Sequence, residues 1–247
     1  MSTTMPLFGI QKTTTVGSKV RMVSLRKGAG TQPNSPNAFE GLSGTYSTIL
    51  VDPPWRFLNR TGKVAPEHRR LHRYQTLSFE EIGALPVGNY AEQRAHLYMW
   101  CPNALLPEAL LIMREWGFTY KTNIVWYKVR KDGGPDGRGV GFYFRNVTEL
   151  LLFGIRGSMR TLAPGRRQVN IMISRKEEHS KKPQGAWSLI QQCSPGPYLE
   201  LFARGRVEGW AQWGDELDSY KNTRPNYRGY RWVSSSTDAP VEARVHP

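Results

Sequence analysis

Thr48-Ile49-Leu50-Val51-Asp52-Pro53-Pro54-Trp55 is the stretch that decides the fold. A short apolar, β-branched run predicts a buried strand, and the two prolines after it end ladder pairing. The carboxylate then stands at the strand's carboxyl end. In open α/β sheets that edge is where ligands bind, which makes Asp52 a candidate site residue.

The tetrapeptide suits methyl transfer to an exocyclic amine of a nucleobase. Such an amine has its lone pair delocalised into the ring, so a site gains by accepting hydrogen bonds from its N–H groups and aligning the nitrogen with an electrophilic methyl. Asp52 can accept one bond. Pro54 has no N–H, which predicts that the Pro53 carbonyl is free of local turn bonding and accepts a second. Trp55 offers a face on which a base can stack. The competing structural reading is a strand-ending turn in which Asp52 binds nearby backbone N–H groups and Trp55 is core.

Tetrapeptides of this kind resemble those of the amino-methyltransferases bearing (Asp/Asn/Ser)-Pro-Pro-(Tyr/Phe/Trp). Asp-Pro-Pro-Trp is similar to the N6-adenine branch named for the seventy-kilodalton subunit of the mRNA adenosine methyltransferase, which has small bacterial and phage members.

A second block lies downstream, from His179-Ser180-Lys181-Lys182-Pro183 to Leu199-Glu200-Leu201-Phe202-Ala203-Arg204. Pro183 suits a first helical turn, Ala186, Leu189, Ile190 and Cys193 repeat at helical spacing, and Ser194-Pro195-Gly196-Pro197 stops the helix. A strand is expected from Tyr198 to Ala203. Its Glu200 stands in an apolar run, where a carboxylate needs a cation or donors such as a ligand's ammonium group. The Arg204-Gly205-Arg206 turn lets the backbone approach a ligand closely.

This order is similar to amino-methyltransferases whose catalytic block precedes the S-adenosylmethionine block. The resemblance implies a permuted arrangement in which Lys182, Glu200, Phe202, Arg204, Asp215 and Glu216 surround S-adenosylmethionine. Related enzymes carry Phe-x-Gly-x-Gly where this chain has Phe202-Ala203-Arg204-Gly205-Arg206, and the adenosine branch shows a similar Leu-Phe-x-Arg. An asparagine-glutamine pair of the family is Asp215-Glu216 here.

Composition narrows the classes. With 247 residues and 39% hydrophobic content, one catalytic domain with a full core is expected. A net charge of +14 favours a polyanionic partner over a merely basic surface. No apolar run approaches a membrane span and Met1 to Gln11 lacks the plan of a secretion signal, so no membrane is expected. Cys101 and Cys193 are too few for a cysteine-rich zinc site and fit a reducing cytoplasm; the five histidines lack ligand spacing, so no metal is expected.

Three segments are expected: a basic N-terminal flank over 1–38, flexible apart from a possible hairpin of Thr14–Val16 with Val20–Leu25; a methyltransferase domain over 39–217; and a basic aromatic tail over 218–247. Within the domain, Ser78 and Glu81 form a capping box that opens a helix toward Leu85. Ala95–Trp100, Asn123–Tyr127, Thr148–Phe153, Leu199–Ala203 and Gly209–Trp213 read as strands, and Leu105 to Trp116 reads as a helix closed by Gly117. Alternating strands and helices imply an α/β fold of Rossmann type with a mixed, mostly parallel sheet.

Two loops fit a nucleic-acid substrate. Arg56, Arg60, Lys63, Arg69, Arg70 and Arg73, with Phe57 and Tyr74, follow the tetrapeptide directly; basic groups there can hold phosphates while aromatics stack on an extruded base. Lys128 to Arg145 adds Arg130, Lys131 and Arg138 among glycines, as a mobile flap. For any single arginine a solvated surface is the competing reading. The family resemblance implies a target-side aromatic at the end of the Ile124–Lys128 strand, giving Trp126 and Lys128. Asp52 favours adenine over the cytosine N4 and protein glutamine branches, which usually begin the motif with Ser or Asn. A catalytically silent nucleic-acid-binding homologue should lack an intact motif or cofactor strand. The mRNA enzymes join this domain to zinc fingers and a partner subunit, for which this chain has no ligands or room, and this tilts the expectation from RNA to DNA.

Overall fold

Strand β1 (Tyr46–Val51) is buried at all six positions, as its apolar run requires of a central strand covered on both faces. The structure is a computed structural model that describes residues 39–56, 76–137, 143–175 and 181–214. β1 pairs in parallel with β2 (Ala91–Cys101) on one side and with β6 (Tyr198–Leu201) on the other. β3 (Thr119–Val129), β4 (Thr148–Arg156), β5 (Ile171–Arg175) and β7 (Trp210–Trp213) complete a seven-stranded sheet of order β5-β3-β4-β2-β1-β6-β7. Only β4 runs against the others, antiparallel to both β2 and β3.

This order places the switch point beside β1. The chain leaves β1 for β2 on one side and returns to β6 on the other, so the carboxyl ends of β1 and β6 flank the crevice. Because β4 is reversed, its first residues, Thr148 and Glu149, reach that same edge.

The helices cover opposite faces. Helix α1 (Phe79–Gly83) opens with the expected capping box: the Glu81 N–H donates to Ser78 Oγ at 3.2 Å, and the Ser78 N–H donates to Glu81 Oε2 at 2.7 Å. Helix α2 (Leu106–Glu115) buries Ala109, Ile112 and Met113 and is followed by Gly117 at φ 84°. These two helices share a core with Ile49, Val51, Leu97, Met99 and Leu201. Helix α3 (Gly185–Cys193) packs Ala186, Leu189, Ile190 and Cys193 against the other face, with Leu50, Tyr98, Trp100 and Trp126. Full burial of each Ile, Leu or Val side chain stabilises by about 1.5–3 kcal/mol.

Among the differences from the sequence expectation, three bear on the site. The strand expected to run to Ala203 ends at Leu201, because Phe202 adopts φ 62° and leaves the ladder. α3 starts at Gly185, two residues beyond Pro183, whose carbonyl instead accepts a turn bond from the Ala186 N–H at 2.9 Å. β5 was not foreseen; its five residues are too short a run to declare themselves. The expected N-terminal hairpin and the tail over 218–247 lie outside the described residues.

Candidate active site

Pleating decides which side chains meet at the crevice. Leu50 lies opposite Glu200 in the β1–β6 register, and Glu200 lies opposite Gln212 in β7. Two residues past Leu50, Asp52 emerges on the same face, that of α3. Glu149 lies opposite Trp126, and Leu151 opposite Trp100, so Glu149, Trp126 and Lys128 also belong to this face.

Four charges form an alternating chain there. Lys182, on the segment entering α3, places Nζ 3.0 Å from Asp52 Oδ1 and 2.7 Å from Glu149 Oε1. Glu149 Oε2 in turn accepts from Lys128 Nζ at 2.8 Å. Both ammonium groups also lie over indoles: Lys182 is 5.3 Å from the Trp100 ring centre and Lys128 is 4.5 Å from that of Trp126. Burial pushes the Glu149 carboxyl up, but the two lysines together outweigh it and hold the group at about 2. Burial alone would lower Lys182, yet the two carboxylates raise its pKa, fixing it as the cation. Asp52 is pushed up by burial; Lys182 pulls it back, Glu149 pushes it further up and Arg204 lowers it, with the net direction upward. Among the described residues no side chain donates to Asp52 Oδ2, which leaves one oxygen for an incoming N–H.

Glu200 sits beside this chain in a different setting. Its Oε2 accepts from Trp187 Nε1 at 2.9 Å and from Gln212 Nε2 at 2.7 Å. Burial, against those two donors and with a contribution from Asp52, pushes its carboxyl up to about 7. Below it, Phe202 packs edge-on against Trp213, with ring centres 5.5 Å apart. The Ala203 N–H donates to the Trp213 carbonyl at 2.9 Å, and a Cβ at Gly214 would collide with the Ala203 backbone. That position therefore requires glycine.

The proline turn departs from the expected geometry. The Trp55 N–H donates to the Pro53 carbonyl at 2.8 Å. That carbonyl is therefore not free of turn bonding: the nitrogen of Pro54 belongs to the same amide and has no bearing on it, and the N–H two residues along, that of Trp55, closes a three-residue turn. Its second lone pair remains for a ligand. The two tryptophans expected as open stacking faces are internal. Trp55 is 6% exposed and donates its indole N–H to the Trp100 carbonyl at 3.0 Å. Trp126 is 2% exposed and donates to Ser174 Oγ at 2.9 Å. In this structure both rings support the site from within.

Of the remaining expected residues, Arg56 donates to the Thr76 carbonyl at 2.6 Å and lies 3.7 Å from Glu81, clamping the base of the segment that follows it. Arg60, Arg69, Arg70, Arg73, Tyr74, Asp215 and Glu216 lie outside the described residues. Sequence reading passed over Glu149, Trp187 and Gln212. A signal for Glu149 existed: it precedes Leu150-Leu151-Leu152-Phe153, the same apolar context that singled out Glu200. Among the described residues no group of three or more His, Cys, Asp or Glu converges as a metal site, and no helix is long and apolar enough to cross a membrane.

A mixed seven-stranded sheet, helices on both faces and an acidic motif at the switch point define an α/β Rossmann-like methyltransferase fold. A family model described as MT-A70 matches residues 46–216. The chain belongs to the MT-A70 family, as the Asp-Pro-Pro-Trp motif implied. It is 27% identical over 192 residues to the type II methyltransferase M.MunI of Mycoplasma sp, covering 71% of this chain and 79% of that one. It is also 27% identical over 215 residues to the N6-methyladenosine RNA methyltransferase MTA1 of Cryphonectria parasitica, covering 83% of this chain and 60% of that protein. The human N(6)-adenine-specific methyltransferase METTL4 is 27% identical over 190 residues, and 39% of its length is spanned.

Proposed function

We propose that this protein transfers a methyl group from S-adenosylmethionine to N6 of adenine in DNA. The observation that carries this reading is the Asp52 carboxylate at the end of β1, held through one oxygen by Lys182 at 3.0 Å within an intact Asp-Pro-Pro-Trp turn.

Methyltransferases of this family generally use S-adenosylmethionine, and the crevice suits it. Lys182 offers a positive charge for the carboxylate of an amino-acid head group, while Glu200, Phe202 and Arg204, with Asp215 and Glu216, would hold the remainder. When bound, S-adenosylmethionine supplies an electrophilic methyl group on a sulfonium. The chain supplies position and electrostatics. Asp52 Oδ2 and the second lone pair of the Pro53 carbonyl accept the two N6 hydrogens and stabilise the positive charge that develops on nitrogen. Lys182 fixes Asp52 in place, and Glu149 fixes Lys182. The surplus proton leaves to Asp52 or water afterwards, which needs no strong base because the methylated, protonated amine is very acidic.

Adenine is favoured by Asp52 at the head of the motif. DNA is favoured because a type II methyltransferase is matched over 79% of its own length. RNA adenosine is the second reading, motivated by the Cryphonectria enzyme. Incubation with labelled S-adenosylmethionine and matched DNA or RNA pools, followed by nucleoside mass spectrometry, tests both. N6-methyladenine in DNA is the expected product. Label confined to RNA would replace the substrate, and nucleic-acid binding with no label in either pool would make the chain a silent homologue.

A further inference from the structure

With Trp55 and Trp126 buried, the open aromatic surface near Asp52 is elsewhere. Among the described residues, Tyr143 and Phe144 are 93% and 85% exposed, whereas the next most exposed aromatic, Tyr120, is 36% exposed and lies at the opposite, amino edge of the sheet. Single exposed apolar side chains are ordinary, but two aromatic residues consecutive in the chain and both almost fully open to water call for a partner.

The pair is fastened to the site. Arg145 Nη1 donates to the Gly137 carbonyl at 2.9 Å, and the Lys128 N–H donates to the Val147 carbonyl at 2.8 Å. Asn103 Nδ2 donates to Thr148 Oγ1 at 2.9 Å. The next residue is Glu149, whose Oε1 lies 2.7 Å from Lys182. Four residues lie between Phe144 and Glu149, so the two aromatic residues lie at most about 18 and 22 Å from it along the chain, the length of roughly five to six stacked bases. Arg145 adjoins the pair, Arg130 and Lys131 follow β3 on the same edge, and the chain carries a net charge of +14. Rings beside cations on a basic protein match a strand whose bases are unstacked and whose backbone is anionic.

We propose that Tyr143 and Phe144 form a stacking platform for unpaired bases flanking the target nucleotide. This rests on the nucleic-acid reading of the site and assigns a part of the substrate-binding surface that lies outside the proline turn. Stacking on an aromatic face stabilises every base without sequence preference, so the platform favours single-stranded or locally opened substrate.

The test separates bases from phosphates. Binding of a labelled mixed-sequence single strand is compared with that of an abasic oligonucleotide of equal length, in the absence of S-adenosylmethionine, for wild type and for Tyr143→Ala/Phe144→Ala. Wild type is expected to prefer the base-bearing strand by about tenfold or more. The double variant should bind both strands within about twofold and keep the wild-type salt slope, since that slope counts phosphates. Tyr143→Phe should retain the preference, and an unchanged melting temperature shows that the variants are folded. A preference that survives the double substitution, or is absent from wild type, overturns the proposal. So does a change of oligomeric state on sedimentation with the preference intact, which would make the patch a contact between copies of this chain. No catalysis enters the measurement, so failure to methylate DNA and failure to stack bases are read separately.

Discussion

Glu149 and Glu200 are the same residue type at the carboxyl edge of one sheet, the first 13% exposed at its side chain and the second buried, yet they are driven in opposite directions. Glu149 lies between two lysines and is held at about 2, whereas Glu200 meets an indole and an amide and is pushed up to about 7. Burial acts alike on both. The difference comes from what the neighbours carry: full positive charges outweigh desolvation, and neutral donors do not. Glu149 and Lys182 therefore form a charged frame in one half of the crevice, and the other half holds a carboxyl pushed up to about 7.

The charged half is broken most severely at its free end. Asp52→Asn should lower methyl transfer by about 10²–10³-fold, as removal of one preorganised electrostatic contact does, while cofactor affinity stays within about threefold. Single-turnover kinetics with parallel calorimetric titration checks both, and substantial turnover in a folded variant would remove Asp52 from the chemistry.

Glu149→Ala leaves two buried ammonium groups with one carboxylate between them. It should destabilise by about 3–5 kcal/mol, the usual cost of breaking a buried pair, as read by urea unfolding. The acid limb sharpens the point. Because the folded pKa of Glu149 lies below its ordinary value of 4.5, at about 2, its contribution is fully present above about pH 4.5 and is lost as pH falls toward 2. That limb amounts to about 3 kcal/mol and should be missing in Glu149→Gln; an identical acid limb in the variant would contradict the assignment.

For Glu200 the sign reverses. A folded pKa of about 7 above an ordinary 4.5 means that folding stability falls as pH rises from 4.5 through 7, and Glu200→Gln should flatten that slope. The same variant should bind S-adenosylmethionine about tenfold more weakly at pH 8, by loss of a charge-assisted acceptor, with little change in nucleic-acid affinity. Equal cofactor affinity in wild type and variant would detach Glu200 from the cofactor. The smallest effect belongs to Trp187→Phe, which removes one donor at 2.9 Å. It should cost about 1 kcal/mol and move the Glu200 titration upward, as followed by carboxyl-resolved NMR.

The strand, the proline turn and the order of the two blocks were readable because a carboxylate beside two prolines interrupts an apolar pattern. Pairing between distant residues was not. Lys182 and Glu149 are 33 residues apart, and neither local spacing nor propensity encodes their meeting. Trp126 illustrates the second kind of loss. Without β5, the Ile124–Lys128 strand reads as an edge with an open aromatic; with β5 paired alongside, Ser174 receives the indole N–H and the ring becomes core. The expectation for the Pro53 carbonyl fails for a local reason, since a turn bond to it comes from the N–H two residues along, which Trp55 has and Pro54 does not affect.

The two ends of the segment between Arg56 and Thr76 are tied together. Trp55 and Leu77 form a parallel bridge, the Arg56 N–H donates to the Leu77 carbonyl at 3.2 Å, and the Leu77 N–H donates to the Pro54 carbonyl at 2.9 Å. A stretch closed in this way is a cassette. Its ring closure is set by the bridge, so doubling its length costs only about 0.6 kcal/mol in chain entropy, and its residues can be exchanged wholesale while Asp52 stays anchored to β1 and β6. Variation in length at this seam therefore leaves in place the bond by which the Asp52 N–H holds to the Leu201 carbonyl.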